Sequence, residues 1–490
     1  MKDTKIIEFF KKLSKEELKE FEKFTASPYF SRGRDLLPML KILKQFYPEF
    51  ENEKLSDEFV FRKLFPEKKF GDEKSYSLLK TYTSELYKLG KEFLTHLEFN
   101  NDNNRKNYYL LNQLRKKKLY KEFEKEYKNS IEIQEGAETG APEDFLDKYF
   151  LNLAFVEFSV DNGRYKDAFN SIFLMADYLA FAALIRGFRL TEIKIVAKNL
   201  AGLKPGFIPS EFMIESLDEE KFIEGIKKHD TKYYPLIEIS YIIHRMTKEP
   251  DKREFYFDLK KTFFEHLNLL GQSEKYMLFG ILGSYCIGKI EENDRSEFRK
   301  ELFGIYSSCI ELGVYKWRKE DDFQLGLFRN IVVTASSDGE TEWLENFIQK
   351  YSAELNVNYR DNMINYSLAN LYFAKGEFEK ALDYLGRVKY DMSLFKIDLK
   401  NIYFRIYYEL NYTEQCFSVL DSMKHYAATS KDLTEFFKKR INNFVRYATE
   451  LLKNKSNFNN KNKDLLYHKV ENEKHIDSRS WLLSKIKNLK

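Results

Sequence analysis

The chain is poor in everything that makes tight turns and cross-links. Its 490 residues include only 9 Pro, 20 Gly and 3 Cys. So few turn formers exclude collagen-like and turn-rich all-β architectures. All nine prolines lie at or before Pro250, so the last 240 residues lack the residue that costs about 3 kcal/mol inside a helix. Cys286, Cys309 and Cys416 form no CxxC pair. Neither a disulfide framework nor a zinc knuckle is expected, and a reducing, cytoplasmic setting is. Net charge is scarce too. The 81 basic and 77 acidic residues leave +4, which argues against a nucleic-acid coat or a polybasic membrane binder. The N-terminal MKDTKIIEFFKKLSKEE has no apolar core before charges resume, so no secretory signal is expected. The most membrane-like stretch, 172–185, is 14 residues long and holds Asp177. A spanning helix needs about 20 apolar residues, so this stretch reads as a buried helix and no transmembrane segment is expected.

What is present is helical periodicity almost throughout, with little strand-like alternation. At 43% hydrophobic, the chain can bury a sizeable core. Aromatics reach 16%, and Lys outnumbers Arg by 61 to 20. The Lys, Phe and Tyr excess reads as the composition bias of an A/T-rich coding sequence, so the isoelectric point near 8.4 carries no functional weight.

Residues 1–100 read as an N-terminal helical module. Ser14 and Glu17 have capping-box spacing, with Leu13 and Leu18 placed as a hydrophobic staple. Leu18, Phe21 and Phe24 line one face. Pro28, Pro38 and Pro48 interrupt the next segments, and a long helix runs from near Asp72 towards Glu98 with Leu79, Tyr82, Leu86 and Leu89 on one stripe. Residues 100–107 read as a polar break, and 135–142 and 454–463 as linkers. The expected division is therefore 1–100, a helical body over 101–453, and a linker with a terminal helix over 454–490. That helix ends in the apolar patch Trp481-Leu482-Leu483 with Ile486.

Within the body, YSLANLYFAKGEFEKALDYL at 366–385 places Leu368, Ala369 and Tyr372 before Gly376, Phe378 and Ala381. This segment resembles the tetratricopeptide repeat. Gly163, Tyr165 and Ala168 keep the same spacing, and turns at 339, 376 and 411 lie 37 and 35 residues apart, near the 34-residue period of that repeat. The resemblance implies an all-α fold: a right-handed α-α superhelix, or TPR-like solenoid, of stacked helical hairpins. Leu13-Ser14, Ser27-Pro28-Tyr29-Phe30 and Trp481-Leu482-Leu483 also resemble a pattern shared by a group of largely uncharacterised bacterial proteins. That resemblance supports the multi-helical architecture and implies no chemistry.

Candidate chemistry is sparse. Residues 283–289 match GxxxxGK of a phosphate-binding loop, yet Ile290 stands where a Mg²⁺-ligating hydroxyl belongs, so two glycines easing helix packing is the preferred account. His468, Glu471 and His475 share a helical face in a charge-rich stretch, which reads as solvated rather than metal-binding. The sequence contains no HExxH, GxSxG, GxGxxG or paired CxxC. We expect no catalytic residue, no cofactor and no metal, and a non-enzymatic scaffold or adaptor that binds a partner protein or peptide. The expected groove is lined by Tyr366, Asn370 and Phe373 and, one repeat on, by Asn401, Arg405 and Tyr408. Rings there supply contact area while Asn and Arg satisfy a peptide backbone. The C-terminal patch could instead cover that face or cap the last repeat. The alternative is a nucleic-acid-binding helical repeat protein that uses a Lys-rich surface and the 453–490 tail, where ten Lys/Arg face four Asp/Glu.

Overall fold

A computed structural model describes the chain apart from residues 32, 137–139, 205, 230–231, 294–295, 390–394, 432, 457–459 and 490. Parts of the expected linkers 135–142 and 454–463 therefore lie outside the described residues. Among those described there are 24 α-helices and no strand, so the chain is all-α. Internal contacts define two compact units. One comprises Met1–Glu135 with Phe150–Ile172, the other Gly136–Tyr149 with Phe173–Lys490. The units are not divided at 100/101 or 453/454.

The first unit opens with α1 (Lys5–Lys12), α2 (Lys15–Ala26), α3 (Leu37–Lys44), α4 (Asp57–Leu64) and the long α5 (Glu73–Asn101). These share one core running from Ile6 to Phe93. The capping box closes at both ends. Ser14 Oγ accepts from the Glu17 amide at 3.1 Å, and the Glu17 carboxylate accepts from the Ser14 amide at 2.7 Å. Asp72 caps α5 by accepting from the Ser75 amide at 2.8 Å. In the Ser-Pro-Tyr-Phe segment Phe30 stacks on Phe24 at 4.0 Å, while Tyr29 stays exposed. Residues 100–107 form no loop. Asp102 ends α5 and at once caps α6 (Asn103–Lys116), accepting from the Arg105 amide at 2.9 Å. One acidic cap between two polar helix ends is all the break requires. A smaller core joins Leu111 and, from α7 (Tyr120–Gly136), Phe123 to Leu151, Ala154 and Phe158 of α8 (Pro142–Asp161).

Next comes α9 (Tyr165–Ala201). The expectation that 172–185 is buried holds only at its C-terminal end. Phe181, Ala182, Leu184 and Ile185 enter the core of the second unit, whereas Ile172, Phe173, Leu174 and Leu179 are exposed. A run apolar on every side carries no periodicity from which the buried face could be read. By length and composition the stretch Tyr165–Lys198 is long and apolar enough to cross a membrane, and 33% of its most apolar window is buried.

The second unit continues through α10 (Pro209–Glu215), α11 (Glu219–His229), α12 (Tyr234–Lys248), α13 (Glu254–Glu265), α14 (Gln272–Asn293) and α15 (Ser296–Glu311). Then come α16 (Leu325–Asp338), α17 (Thr341–Tyr351), α18 (Val357–Ala374), α19 (Phe378–Gly386), α20 (Lys396–Glu409) and α21 (Thr413–Thr429). The chain closes with α22 (Glu435–Ser456), α23 (Asn460–Asn472) and α24 (Arg479–Lys487). Consecutive helices pack as pairs, among them α14 with α15, α18 with α19 and α20 with α21. In the 366–385 hairpin Ala369 and Ala381 are fully buried, and Tyr372 stacks on Tyr384 at 5.3 Å. Small residues at those two positions let the helices approach, and the rings fill the space beside them.

One turn recurs along the chain. Lys118, Gly163, Gly313, Gly339, Gly376 and Asn411 all adopt left-handed backbone. After each, the next amide bonds a carbonyl five residues back, as in Arg164 to Ser159 at 2.7 Å, Glu377 to Tyr372 at 2.9 Å and Tyr412 to Tyr407 at 2.9 Å. This is the Schellman closure of a helix end. At Gly376 (φ 77°) it costs no Cβ strain; at Lys118 and Asn411 a side chain bears it.

The terminal helices belong to the body. Leu466, Val470, Ile476, Leu482, Leu483 and Ile486 share a core with Phe404, Leu420, Phe444 and Leu451. Trp481 meets Phe404 and Tyr408 edge-on at 5.8 and 5.2 Å. Of the two roles weighed for the Trp-Leu-Leu patch, covering and capping, the structure shows it docked on α20.

Candidate functional site

The motifs that looked most enzyme-like sit where their chemistry is not supported. The GxxxxGK match falls inside α14, with no strand before it among the described residues. A Cβ on Gly283 would meet Tyr306 at 3.5 Å, an ordinary contact distance, and one on Gly288 would meet nothing within 4 Å, so helix packing demands a glycine at neither position. Cys286 Sγ lies 3.2 Å from Tyr256 Oη, and burial pushes its thiol up to about 12. His468 pairs with Glu471 at 3.4 Å, while the His475 ring packs edge-on against Phe436 at 5.4 Å. Among the described residues no three His, Cys, Asp or Glu side chains converge.

The cations of the C-terminal tail are largely engaged in the fold. Lys455 donates to the Tyr408 carbonyl at 3.2 Å and to Asn411 Oδ1 at 2.6 Å. Lys463 donates to the Leu489 carbonyl at 2.8 Å, and Lys485 pairs with Glu409 at 2.6 Å. In the 115–118 run Arg115 is held by Glu157 and Asp161, each at 2.9 Å.

A polar string in the second unit has the order hydroxyl, imidazole, carboxylate. Thr191 Oγ1 is 3.2 Å from His244 Nδ1, and Glu219 Oε1 is 3.2 Å from His244 Nε2. Burial lowers the His244 pKa and outweighs the Glu219 hydrogen bond. The ring is 2% exposed. A base buried so deeply has no route to a substrate, and the string serves to satisfy a core histidine.

The cavity that gathers the most unusual chemistry lies wholly within the second unit and encloses about 490 Å³. Arg299 of α15, Arg329 and Asp338 of α16, Tyr366 and Asn370 of α18, and Asp398, Asn401 and Arg405 of α20 line it. Arg440 of α22 joins them, with Asp477, Arg479 and Trp481 from the chain's return into α24. Helix spacing explains the alignment. Asp398, Asn401 and Arg405 recur at i, i+3 and i+7 on one face of α20, as Tyr366 and Asn370 do at i and i+4 on α18.

Two ion pairs brace this wall. Arg329 forms a two-pronged pair with Asp398, 2.9 Å through Nε. Burial opposes the Arg329 cation, but Asp398 outweighs it and holds the pKa above its ordinary value. Arg440 Nε donates to Asp477 at 2.9 Å. Asp338 is raised by burial, against the pull of Arg299. Arg405 differs from all of these. Its guanidinium lies 4.4 Å over the Phe373 ring and 5.9 Å from Trp481. Its Nε is buried without a hydrogen-bond partner. Burial lowers its pKa to about 10, offset in part by Tyr366 and Glu409. It remains a cation at neutral pH.

Of the six residues expected to form a groove, the structure brings four to this cavity: Tyr366, Asn370, Asn401 and Arg405. Tyr366 and Asn370 are each only 4% exposed, and Asn370 donates to the Tyr366 carbonyl at 2.9 Å. They form wall more than contact surface. Phe373 is the platform beneath Arg405. Tyr408 is buried against Trp481 and the Lys455 ammonium, 4.1 Å from its ring. Asn401 accepts from Ser478 Oγ at 2.9 Å and is half-buried. The sequence reading missed Arg299, Arg329, Arg440 and Arg479, which lie up to 180 residues apart and share no motif. Chemically, the arrangement presents arginine donors and amides behind an aromatic edge, a surface suited to a polar or anionic guest. No family model, curated protein or solved structure matches this chain.

Proposed function

We propose that the chain is a tetratricopeptide-like, right-handed superhelix of helical hairpins preceded by an N-terminal helical module. In this reading it is a non-enzymatic scaffold or adaptor of the cytoplasm that binds a partner protein or peptide. The recurring Schellman-closed hairpins, spaced 37 and 35 residues at Gly339, Gly376 and Asn411, support the repeat reading. Three free, buried cysteines accord with a reducing compartment. The observation that carries the binding role is the cavity wall itself. Asn401 and Arg405 offer hydrogen bonds beside the rings of Phe373 and Trp481. A bound segment would gain ring contact area and find partners for its backbone. The tail cations drawn into the fold weigh against the nucleic-acid alternative.

The test is capture of partners on tagged chain from the native host at moderate salt, with and without nuclease. The expected result is a stoichiometric protein that survives nuclease and is lost from the Phe373→Ala/Arg405→Ala and Asn401→Ala variants, while both variants keep the parent helical circular-dichroism spectrum at the temperature of the assay. Unchanged capture would make the groove assignment wrong. Recovery of nucleic acid alone, with affinity falling steeply in salt, would favour the alternative.

A further inference from the structure

We infer that the C-terminal end of α9, with the loop that leads into α10, inserts into the headgroup region of an anionic lipid bilayer. The inference does not rest on the partner-binding reading of the cavity, so the two can fail separately. The first argument is exposure gathered at one tip. Ile193, Val196 and Leu200 recur at i, i+3 and i+7 on a single face of α9, and all three are exposed. Beyond the helix end Leu203 is 59% and Phe207 79% exposed, and the Phe207 ring lies 6.2 Å from that of the exposed Phe212 of α10. Gly202 closes the helix in left-handed backbone (φ 65°), its amide bonding the Lys198 carbonyl at 3.0 Å and the Leu203 amide that of Ala197 at 3.2 Å. Large apolar side chains are thus held out in water by a closed helix end, the mark of a surface that meets another apolar phase.

The second argument is charge. Lys198 and Lys204 bracket the tip, both exposed and neither ion-paired among the described residues. The acids of the same hairpin are engaged or distant. Glu211 is held by Lys194 at 2.5 Å, and burial pushes the Glu192 carboxyl above its ordinary range. Glu215 belongs to the other end. Ile214 beside it would lie 2.8 Å from a Cβ on Gly187, and Gly187 is 13 residues, or about 20 Å of helix, from Leu200. An apolar tip framed by free cations matches anionic headgroups above an acyl layer. A second copy is a poor occupant, because a two-fold axis through the tip would set Lys198 and Lys204 against their own copies.

The third argument is depth. Although α9 is long and apolar enough to cross a membrane, its middle is committed elsewhere. Phe181, Ala182, Leu184 and Ile185 belong to the core, and Arg189 is paired with Glu274 at 2.7 Å. Only the end beyond them is free to enter lipid, so the insertion is shallow. With a net charge of +4 the chain has little long-range attraction to a membrane. The apolar tip therefore carries the affinity, and the two lysines carry the preference for anionic lipid.

The test is sedimentation of the full chain with vesicles of phosphatidylcholine alone and of phosphatidylcholine and phosphatidylglycerol in equal parts. Anionic vesicles should bind more tightly, by about fivefold for each lysine. Leu203→Ser/Phe207→Ser should weaken that binding at least about tenfold. Both positions are exposed, so this variant should keep the parent helical circular-dichroism spectrum. Val357→Ser, exposed on α18, is the control and should bind as the parent does. Lys198→Gln/Lys204→Gln should bind neutral vesicles unchanged and lose the preference for anionic ones. In Phe207→Trp, emission beyond that of the parent should be quenched more by lipid brominated near the headgroup than by lipid brominated at the chain end. Absence of sedimentation, equal binding of both vesicles by the parent, undiminished binding of Leu203→Ser/Phe207→Ser, or quenching strongest at the chain end would overturn the proposal. A concentration-dependent dimer that Leu203→Ser/Phe207→Ser abolishes would overturn it too, by assigning the tip to a second copy.

Discussion

The docking of α24 can be tested through Leu482 and Ile486, both fully buried and one helical turn apart on its inner face. Each truncation to alanine removes several methyl groups from a core that cannot close over the gap, a cost of about 2–5 kcal/mol. The two sites share one cluster, so their sum is not strictly additive, and about 4–8 kcal/mol is expected for the pair. A helix of nine residues has no stability of its own, so losing its anchors should release it whole. The assay is urea unfolding followed by Trp481 fluorescence, in a Trp317→Phe/Trp343→Phe background so that one indole reports. A local probe is needed because a chain of two compact units need not unfold in one step. A loss of about 4 kcal/mol or more should move the local midpoint by more than about 1 M urea and shift the indole emission to the red. Leu465→Ala, at a position 56% exposed, is the control and should stay within about 0.5 kcal/mol. If the Leu482→Ala/Ile486→Ala protein unfolds like its control with unchanged emission, α24 is not part of the core and the cavity loses a wall.

Other consequences stem from particular contacts. Lys118 holds a left-handed turn with a Cβ, so Lys118→Gly should stabilise by up to about 1 kcal/mol, whereas Gly376→Ala should cost about that much; chemical denaturation reads both. Arg189 and Glu274 form a buried pair at 2.7 Å, each side chain 8% exposed. Glu274→Leu should cost about 3–5 kcal/mol by stranding the cation, and adding Arg189→Met should recover most of it; similar stability of single and double variants would refute the pairing. His244 has its pKa lowered from 6.5 by burial, with Glu219, Lys248 and Thr191 around it, so folding favours the neutral ring. Its contribution is complete above pH 6.5 and is lost as pH falls towards the lowered value. The parent should therefore lose more stability than His244→Gln between about pH 7 and 5, and parallel pH profiles would contradict this.

Local signals in the sequence translated directly into structure. Ser14 with Glu17, Asp72 before α5, and Ala369–Gly376–Ala381 are each complete within a few residues, so neighbouring chemistry decides them. Residues 100–107 misled because polarity marks a helix end and a loop alike, and Asp102 serves as both stop and start. The 172–185 stretch misled because uniform apolarity says nothing about which side meets a core. The cavity was half legible. The period placed Tyr366, Asn370, Asn401 and Arg405 on adjoining faces. No periodicity could show that the return into α24 brings Arg479 and Trp481 to the same wall, since that depends on contacts more than 70 residues apart. The recurring left-handed turn was visible at Gly163, Gly339, Gly376 and Asn411, and hidden at Lys118, whose residue type does not announce it.

A partner protein bound at the cavity wall must come within reach of Asn401. A photo-crosslinking residue placed at Asn401 in the native host, with another at Val357 as an exposed control, captures that partner. One protein should crosslink from position 401 and be absent from position 357. No crosslink at 401, or the same products from both positions, would contradict it.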